Sequence, residues 1–248
     1  MKILILDTET TGNTEKAQPI EIAFIEIEYP SLNVIRKVDL FFKPSEPISF
    51  GAKATHHILE SDLIDKPDLT SDIYSSLIED IYSADYIIAH NVDYDWGIIG
   101  KPDIKRIDTL AIARKLLPDL DSKSQSALMY YFFGDEARDK IKNAHNALCD
   151  VENCLLILRK LTEIISDRHD YPNEEISIYN NIEELYNFSE YARIPDKMTF
   201  GKHKDKTYLE VARADPGYFD WIRYKSDIKP DKYMLKAIED ALANRRKV

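Results

Sequence analysis

The sequence predicts an α/β protein: a mixed sheet between two layers of helix, followed by a small, mainly helical C-terminal module. Three observations carry that expectation. Strand-like segments fill the first part of the chain and amphipathic helices the second, an order that lets helices cover both faces of one sheet. A helical spacing from Asp72 to Ser83 stands between apolar strand-like runs, the signature of a crossover to a parallel neighbour. An acidic stretch with Pro172, Asp167 to Glu175, has the composition of a connector. The expected boundaries are 1–166 for the main domain, 167–196 for a linker and bridging helix, and 197–248 for the module.

The first strand is expected in Lys2 to Gly12, where apolar residues on both parities suit a central strand covered on both faces. Side chains alternate across a strand, so Asp7 and Glu9 share a face. Two like charges held side by side repel, and a divalent cation relieves the repulsion. Glu21 to Tyr29 and Asn33 to Phe42 read as the second and third strands, joined by connections short enough for an antiparallel meander. Pro44 and Pro47 end that meander, and Ser49 to Leu59 is expected to form a loop or short helix.

Helix Asp72 to Ser83 leads to a short strand, Tyr86 to Ala89, ending in His90-Asn91. Three further helices are expected: Asp108 to Leu117, Ser126 to Phe133 and Val151 to Ile165, the last with a broad apolar stripe. Past the connector, Ile182 to Tyr191 reads as a bridging helix and Met198 to Lys206 as a lysine-rich turn. Asp215-Pro-Gly opens a helix expected to bury Phe219, Trp221 and Ile222, and Tyr233 to Asn244 forms the last.

Composition excludes some functions. The net charge of −11 argues against a protein that coats nucleic acid, which needs clustered Lys and Arg. The body carries the acid, however, and the part from Lys197 onward is mildly basic. Apolar runs are too short to span a bilayer and no basic leader with a cleavage site is visible, so a cytoplasmic protein is expected. Cys149 and Cys154, five apart, form neither a disulfide framework nor a zinc knuckle and are read as core thiols.

Three segments carry the chemistry. Asp7-Thr8-Glu9-Thr10-Thr11-Gly12 ends the first strand, Ala89-His90-Asn91 through Tyr94-Asp95 follows a second, and His145-Asn146-Ala147 through Asp150 opens a long helix. Taken singly they read as a solvated acid pair, a helix cap, and a capping Asp beside a solvated His. Together, in this order and at these intervals, they resemble the Asp-Glu-Asp-Asp-His exonucleases, proofreading-type 3′ to 5′ exonucleases on a ribonuclease-H-like three-layer fold. Tyr94 stands where that family usually has Phe. His56-His57-Ile58 is similar to the family's His-Gly-Ile stretch beside the bound nucleotide, with His57 in place of glycine. Phe200-Gly201-Lys202-His203 followed by Asp215-Pro216-Gly217-Tyr218 looks like the C-terminal module of the family's exodeoxyribonuclease X branch.

The resemblance implies a hydrolase that releases nucleoside 5′-monophosphates from DNA 3′ ends, with RNA as the alternative substrate and a catalytically silent nucleic-acid-binding adaptor as the alternative of another class. It implies two Mg²⁺, replaceable by Mn²⁺, on Asp7, Glu9, Asp95 and Asp150, with His145 as general base. Thr8, Thr10, Thr11, Gly12, His56, Asn91 and Tyr94 are then expected around the terminal nucleotide. Lys202, Lys204 and Lys206, near Tyr208 and Tyr218, read either as a solvated turn over a small aromatic core or as candidates for guiding a strand by phosphate contact and stacking.

Overall fold

The computed structural model describes residues 1–142, 144–167 and 181–246. The connector expected over 167–175 lies, after Asp167, outside the described residues. The chain packs as two compact units, Met1–Ser189 and Glu190–Val248.

Five strands form the sheet of the first unit: β1 (Ile3–Thr10), β2 (Pro19–Ile27), β3 (Val34–Phe41), β4 (Tyr86–Ala89) and β5 (Lys105–Asp108), in the spatial order β3-β2-β1-β4-β5. The β1-β2 and β2-β3 pairs are antiparallel, as their short connections require. The β1-β4 and β4-β5 pairs are parallel. The mixed sheet therefore matches the expectation, with β5 as an added strand.

Helices α1 (Phe50–His56) and α2 (Asp72–Tyr82) follow the meander, α3 (Val92–Ile98) links β4 to β5, and α4 (Thr109–Leu116), α5 (Gln125–Phe133) and α6 (Ala137–Lys140) come next. Then come α7 (Ala147–Asp167) and α8 (Ile182–Ala192), which runs across the boundary between the units.

β1 is central because both of its faces are apolar. Leu4 and Leu6 join Ile22, Phe24 and Leu77 in a core roofed by α2. Ile3 and Ile5, with their partners Ile27 and Ile25, are buried on the opposite face, and α7 packs against β1 and β2. Such a strand fixes the side chains at its carboxyl end on a rigid base. No helix among the described residues is long and apolar enough to cross a membrane.

The second unit contains α9 (Tyr208–Ala214), α10 (Gly217–Tyr224) and α11 (Lys232–Asn244) around Met198, Val211, Phe219, Ile222 and Ile238. Its lysine-rich turn is closed by a bridge between Lys197 and Thr207. Asp215 accepts from His203 Nε2 at 3.0 Å and pairs with Lys202 Nζ at 2.7 Å. Gly201 sits at φ +69°, and a Cβ there would lie 2.1 Å from the Tyr218 hydroxyl. Gly201→Ala is therefore expected to destabilise this unit by about 2 kcal/mol or more. Denaturant unfolding followed by Trp221 fluorescence, in a Trp96→Phe background, measures it.

Several expectations need correction. Trp221 is 43% exposed and stacks on Tyr218 at 5.4 Å instead of filling the core, because Tyr218, Phe219 and Ile222 take the inward face of α10. Of the two readings of the lysine turn, the small aromatic core is the one found: Tyr208 and Tyr218 are buried in it, Tyr208 stacked on Phe219, so neither ring presents a free face. Cys154 is a core thiol, but Cys149 is half-buried, its Sγ donating to the Lys140 carbonyl, since α7 begins at Ala147 and not at Val151. Neither α3 nor α9 was anticipated. The Thr207-x-x-Glu210 capping box that starts α9 is a signal the sequence does contain.

Candidate active site

The site is built at the carboxyl end of β1. Register places Asp7 beside Ala23 and Glu9 beside Glu21 on β2, all on the face that α7 covers. Asp150 lies in the first turn of α7, so its carboxylate reaches the Glu9 side chain from that layer. His145 sits just before the helix at φ 69°, and its backbone N–H donates to Asp150 Oδ2 at 3.0 Å. Glu9, His145 and Asp150 can each offer one ligand atom such that all three lie within 4.8 Å of one another.

Asp95 arrives from the other face. It is buried on α3, where Thr8 donates its hydroxyl to Oδ1 at 2.8 Å, and the Thr8 backbone N–H also bonds the carboxylate. The start of α3 is held by Asp108. One oxygen of that residue, Oδ1, caps α4 through Leu110 and Ala111 and accepts from the N–H of left-handed Asn91 at 3.1 Å. Asn91 thus acts through its backbone, and its side chain is exposed.

Burial and mutual repulsion dominate the electrostatics. Burial, then the charges of Asp95, Asp150, Glu9 and Glu21, hold Asp7 well above the usual carboxylate range. Glu9 is pushed up to about 8 by burial and then by Asp150. Asp95 is pushed up to about 7 by burial, against the hydrogen bonds from Thr8. Asp150 is raised by burial and drawn back by the His145 backbone. The groups that weigh most on Asp7 and Glu9 are burial and other acids, so the missing element is positive charge. A donor set of carboxylate oxygens with one imidazole suits a hard divalent cation.

Two clefts meet here. One, of about 440 Å³, is lined by Thr8, Glu9, Thr10, Gly12, His56 and Tyr94 among others. The second, of about 690 Å³, is lined by His90, Arg114, residues 121–126, Ala144, His145 and Asp150. Of the residues expected around a nucleotide, Thr11 and Asn91 stand apart from the first cleft. Thr11 spends its N–H on the Gln18 carbonyl and its own carbonyl on Ser49 N–H. His56 lines the cleft, but both ring nitrogens are occupied: Nδ1 accepts from Ile58 N–H, which leaves Nε2–H to donate to the Thr10 carbonyl. Burial lowers its pKa, so it is a neutral brace. The Tyr94 hydroxyl donates to the Gly12 carbonyl and lies 2.7 Å from Thr10 Oγ1, tying down the turn after β1. Gly12 is closely packed: a Cβ would stand 3.3 Å from Ser49 Oγ, so that hydroxyl, which caps α1, would have to give way slightly.

One residue escaped the sequence reading. Glu21 is fully buried on β2 and accepts from Asn146 Nδ2 at 2.6 Å. Its signal was a single carboxylate inside the apolar run Ile20 to Phe24, where nothing but tertiary packing would keep it.

The sequence profile of the exonuclease family matches residues 4–158. The chain belongs to that family. A second profile, the exodeoxyribonuclease X-like C-terminal region, matches residues 198–225 of this exonuclease. Exodeoxyribonuclease 10 of Escherichia coli K12 is 25% identical to it over 218 residues, 88% of this chain and 89% of that one. The epsilon subunit of DNA polymerase III from Buchnera aphidicola subsp. Schizaphis graminum is 31% identical over 259 residues, covering 96% of this exonuclease and 97% of the relative. A solved structure of exonuclease X in complex with 5′ overhanging duplex DNA shares the fold, with a TM-score of 0.50 at 24% identity. That likeness covers 72% of this chain and 99% of the other.

Proposed function

We propose that this exonuclease is a metal-dependent 3′ to 5′ exodeoxyribonuclease that releases nucleoside 5′-monophosphates. The observation that carries the reading is the meeting of Asp7, Glu9, Asp95 and Asp150, from three separate elements, with His145 at the junction of two clefts. The similarity to exodeoxyribonuclease 10 supports DNA as the substrate.

Asp7, Glu9, Asp95 and Asp150 would hold two divalent cations, Mg²⁺ in the first place with Mn²⁺ able to substitute. Bound there, the cations would supply the positive charge that a phosphodiester under attack requires and would acidify a bound water. His145, exposed at the second cleft and steadied through its backbone by Asp150, would take that water's proton. Thr8 partly offsets the burial of Asp95 by two hydrogen bonds to its carboxylate and fixes the direction in which that group would face a cation. The first cleft takes the terminal nucleoside against Thr8, Thr10, Gly12 and Tyr94, and the second takes the continuing strand. Residues 1–166 would carry this chemistry. The module 197–248 would contribute through the exposed cations of its turn, Lys204 and Lys206 foremost, because Lys202 is already paired with Asp215.

Matched DNA and RNA oligonucleotides carrying a 5′ label test the reading. With Mg²⁺, DNA should yield a ladder of progressively shorter labelled products, while the same DNA labelled at its 3′ end loses its label as a mononucleotide in the first turnover. Immediate release of the 5′ label would overturn the polarity, and faster digestion of RNA would overturn the substrate.

A further inference from the structure

We infer that Glu21 is a positioning residue for the His145 arm of the site: by hooking Asn146 it sets where His145 and Asp150 stand against Glu9. Glu21 lies directly across from Glu9 on β2 and is fully buried, yet it points its carboxyl group at the loop before α7. Oε1 accepts from Asn146 Nδ2 at 2.6 Å, and the carboxyl group also receives the backbone N–H groups of Ala147 and Leu148. Asn146 is held at both ends, because its Oδ1 accepts from Cys149 N–H at 3.2 Å and so caps α7. His145, immediately before it, keeps a left-handed backbone, which is uncommon for a non-glycine residue and is held here by the contacts around it. Among the described residues, the Glu21–Asn146 hook is the side-chain bond that joins this loop to the sheet beneath, and it acts together with the His145 N–H bond to Asp150.

The other side of Glu21 explains why a buried acid can do this. Its neighbour there is Asp39 on β3, placed diagonally on the same face by the β2-β3 register. Glu21 Oε2 and Asp39 Oδ1 are buried and have no other partner. Two acceptor oxygens satisfy each other only with one proton between them. The Glu21 group therefore accepts toward Asn146 and shares a proton toward Asp39. A glutamine amide reproduces that arrangement, accepting through Oε1 and donating through Nε2. An alanine abolishes it.

The rate part of the test rests on the nuclease reading, and the exchange part does not. Amide hydrogen exchange at Ala147 and Leu148 in the metal-free protein should be faster by about tenfold or more in Glu21→Ala and near the parent rate in Glu21→Gln. Unchanged exchange in Glu21→Ala would overturn the inference. On a single-stranded DNA oligonucleotide, Glu21→Ala should lower kcat by about 10- to 100-fold with KM within about twofold, the response to a displaced reacting group. Glu21→Gln should stay within about threefold of the parent, and Asn146→Ala should match Glu21→Ala. The double variant Glu21→Ala/Asn146→Ala should be no worse than the poorer single. Glu21→Gln as slow as Glu21→Ala, or additive losses in the double variant, would also overturn it. Should Glu21→Ala fold poorly, Asn146→Ala carries the same exchange and rate comparison with the carboxyl pair intact. A parent protein without nuclease activity but with the expected exchange pattern would remove the proposed function and leave the positioning role supported.

Discussion

Asp7→Asn is expected to lower nucleotide release by at least about three orders of magnitude, equivalent to about 4 kcal/mol of transition-state stabilisation, while leaving the fold intact. The asparagine is isosteric and keeps the β1 backbone pairing with Ala23, but it removes the charge at the point where the fields of Asp95, Asp150, Glu9 and Glu21 overlap. The substitution carries a second signature. Because Asp7 is pushed toward its neutral form by burial and by its acidic neighbours, replacing it relieves repulsion in the metal-free protein. An inactive variant that melts at or above the parent temperature in EDTA therefore fits a ligand cluster. A variant that retains full activity on a 5′-labelled strand would remove Asp7 from the mechanism. One that is inactive but melts well below the parent would make Asp7 a structural residue.

The metal-free protein should lose stability as the pH rises from about 4.5 to about 8, and a divalent cation should restore it. The sign follows from the direction of the shifts. Folded Glu9 has its pKa pushed up to about 8 and folded Asp95 to about 7, whereas the unfolded chain releases those protons near the ordinary carboxylate values. Between the two, the folded state binds more protons than the unfolded state, so the free energy of unfolding falls with rising pH and levels off above about 8. The half-buried, hydrogen-bonded acids Asp80 and Asp215 are shifted down and act below that window, so they do not mask it. One pKa unit corresponds to about 1.4 kcal/mol, and about 1 kcal/mol moves the melting point of a chain this size by about 2–4 °C. Melting curves in EDTA at pH 5.5, 7.0 and 8.5 should therefore fall on the order of 10 °C from first to last. Mn²⁺ has to displace the same protons, so its affinity by calorimetry should climb over that interval, with proton release. A melting point indifferent to pH, with no stabilisation by Mn²⁺ at pH 8.5, would mean that these acids are not desolvated as a group.

The legibility of the site varies residue by residue, for physical reasons. Asp7 and Glu9 were readable because a short apolar run of both parities suits a strand covered on both faces, and period-two alternation then puts them on one face. Asp150 was readable as an acid opening a long amphipathic helix, although the helix begins a turn earlier than its apolar stripe. Asp95 was legible only as an acid past a strand. Its approach from the α3 side and its bonds from Thr8 depend on the parallel β1-β4 pairing and on Asp108 holding Asn91, contacts between residues far apart in the chain. β5 escaped because only Ile107 of its four residues is apolar, whereas the equally short β4 is apolar throughout, and Trp221 was misplaced because apolar character alone does not say which side of a short helix faces inward.

Glu21 marks the division most clearly. Local pattern determined the order of the acids along the chain, the parity that pairs Asp7 with Glu9, and the helices that could cover a sheet, because alternation and helical spacing are properties of neighbouring residues. Which acids share one desolvated space was decided only by the tertiary structure. Register across β1, β2 and β3 lines up Glu9 with Glu21 and brings Asp39 diagonally beside it, and the packing of α7 on that face brings Asn146 and Asp150 to them. The raised carboxylate pKa values and the hook on Asn146 are consequences of that packing, since charge repulsion and desolvation depend on distance in space and not on distance in sequence.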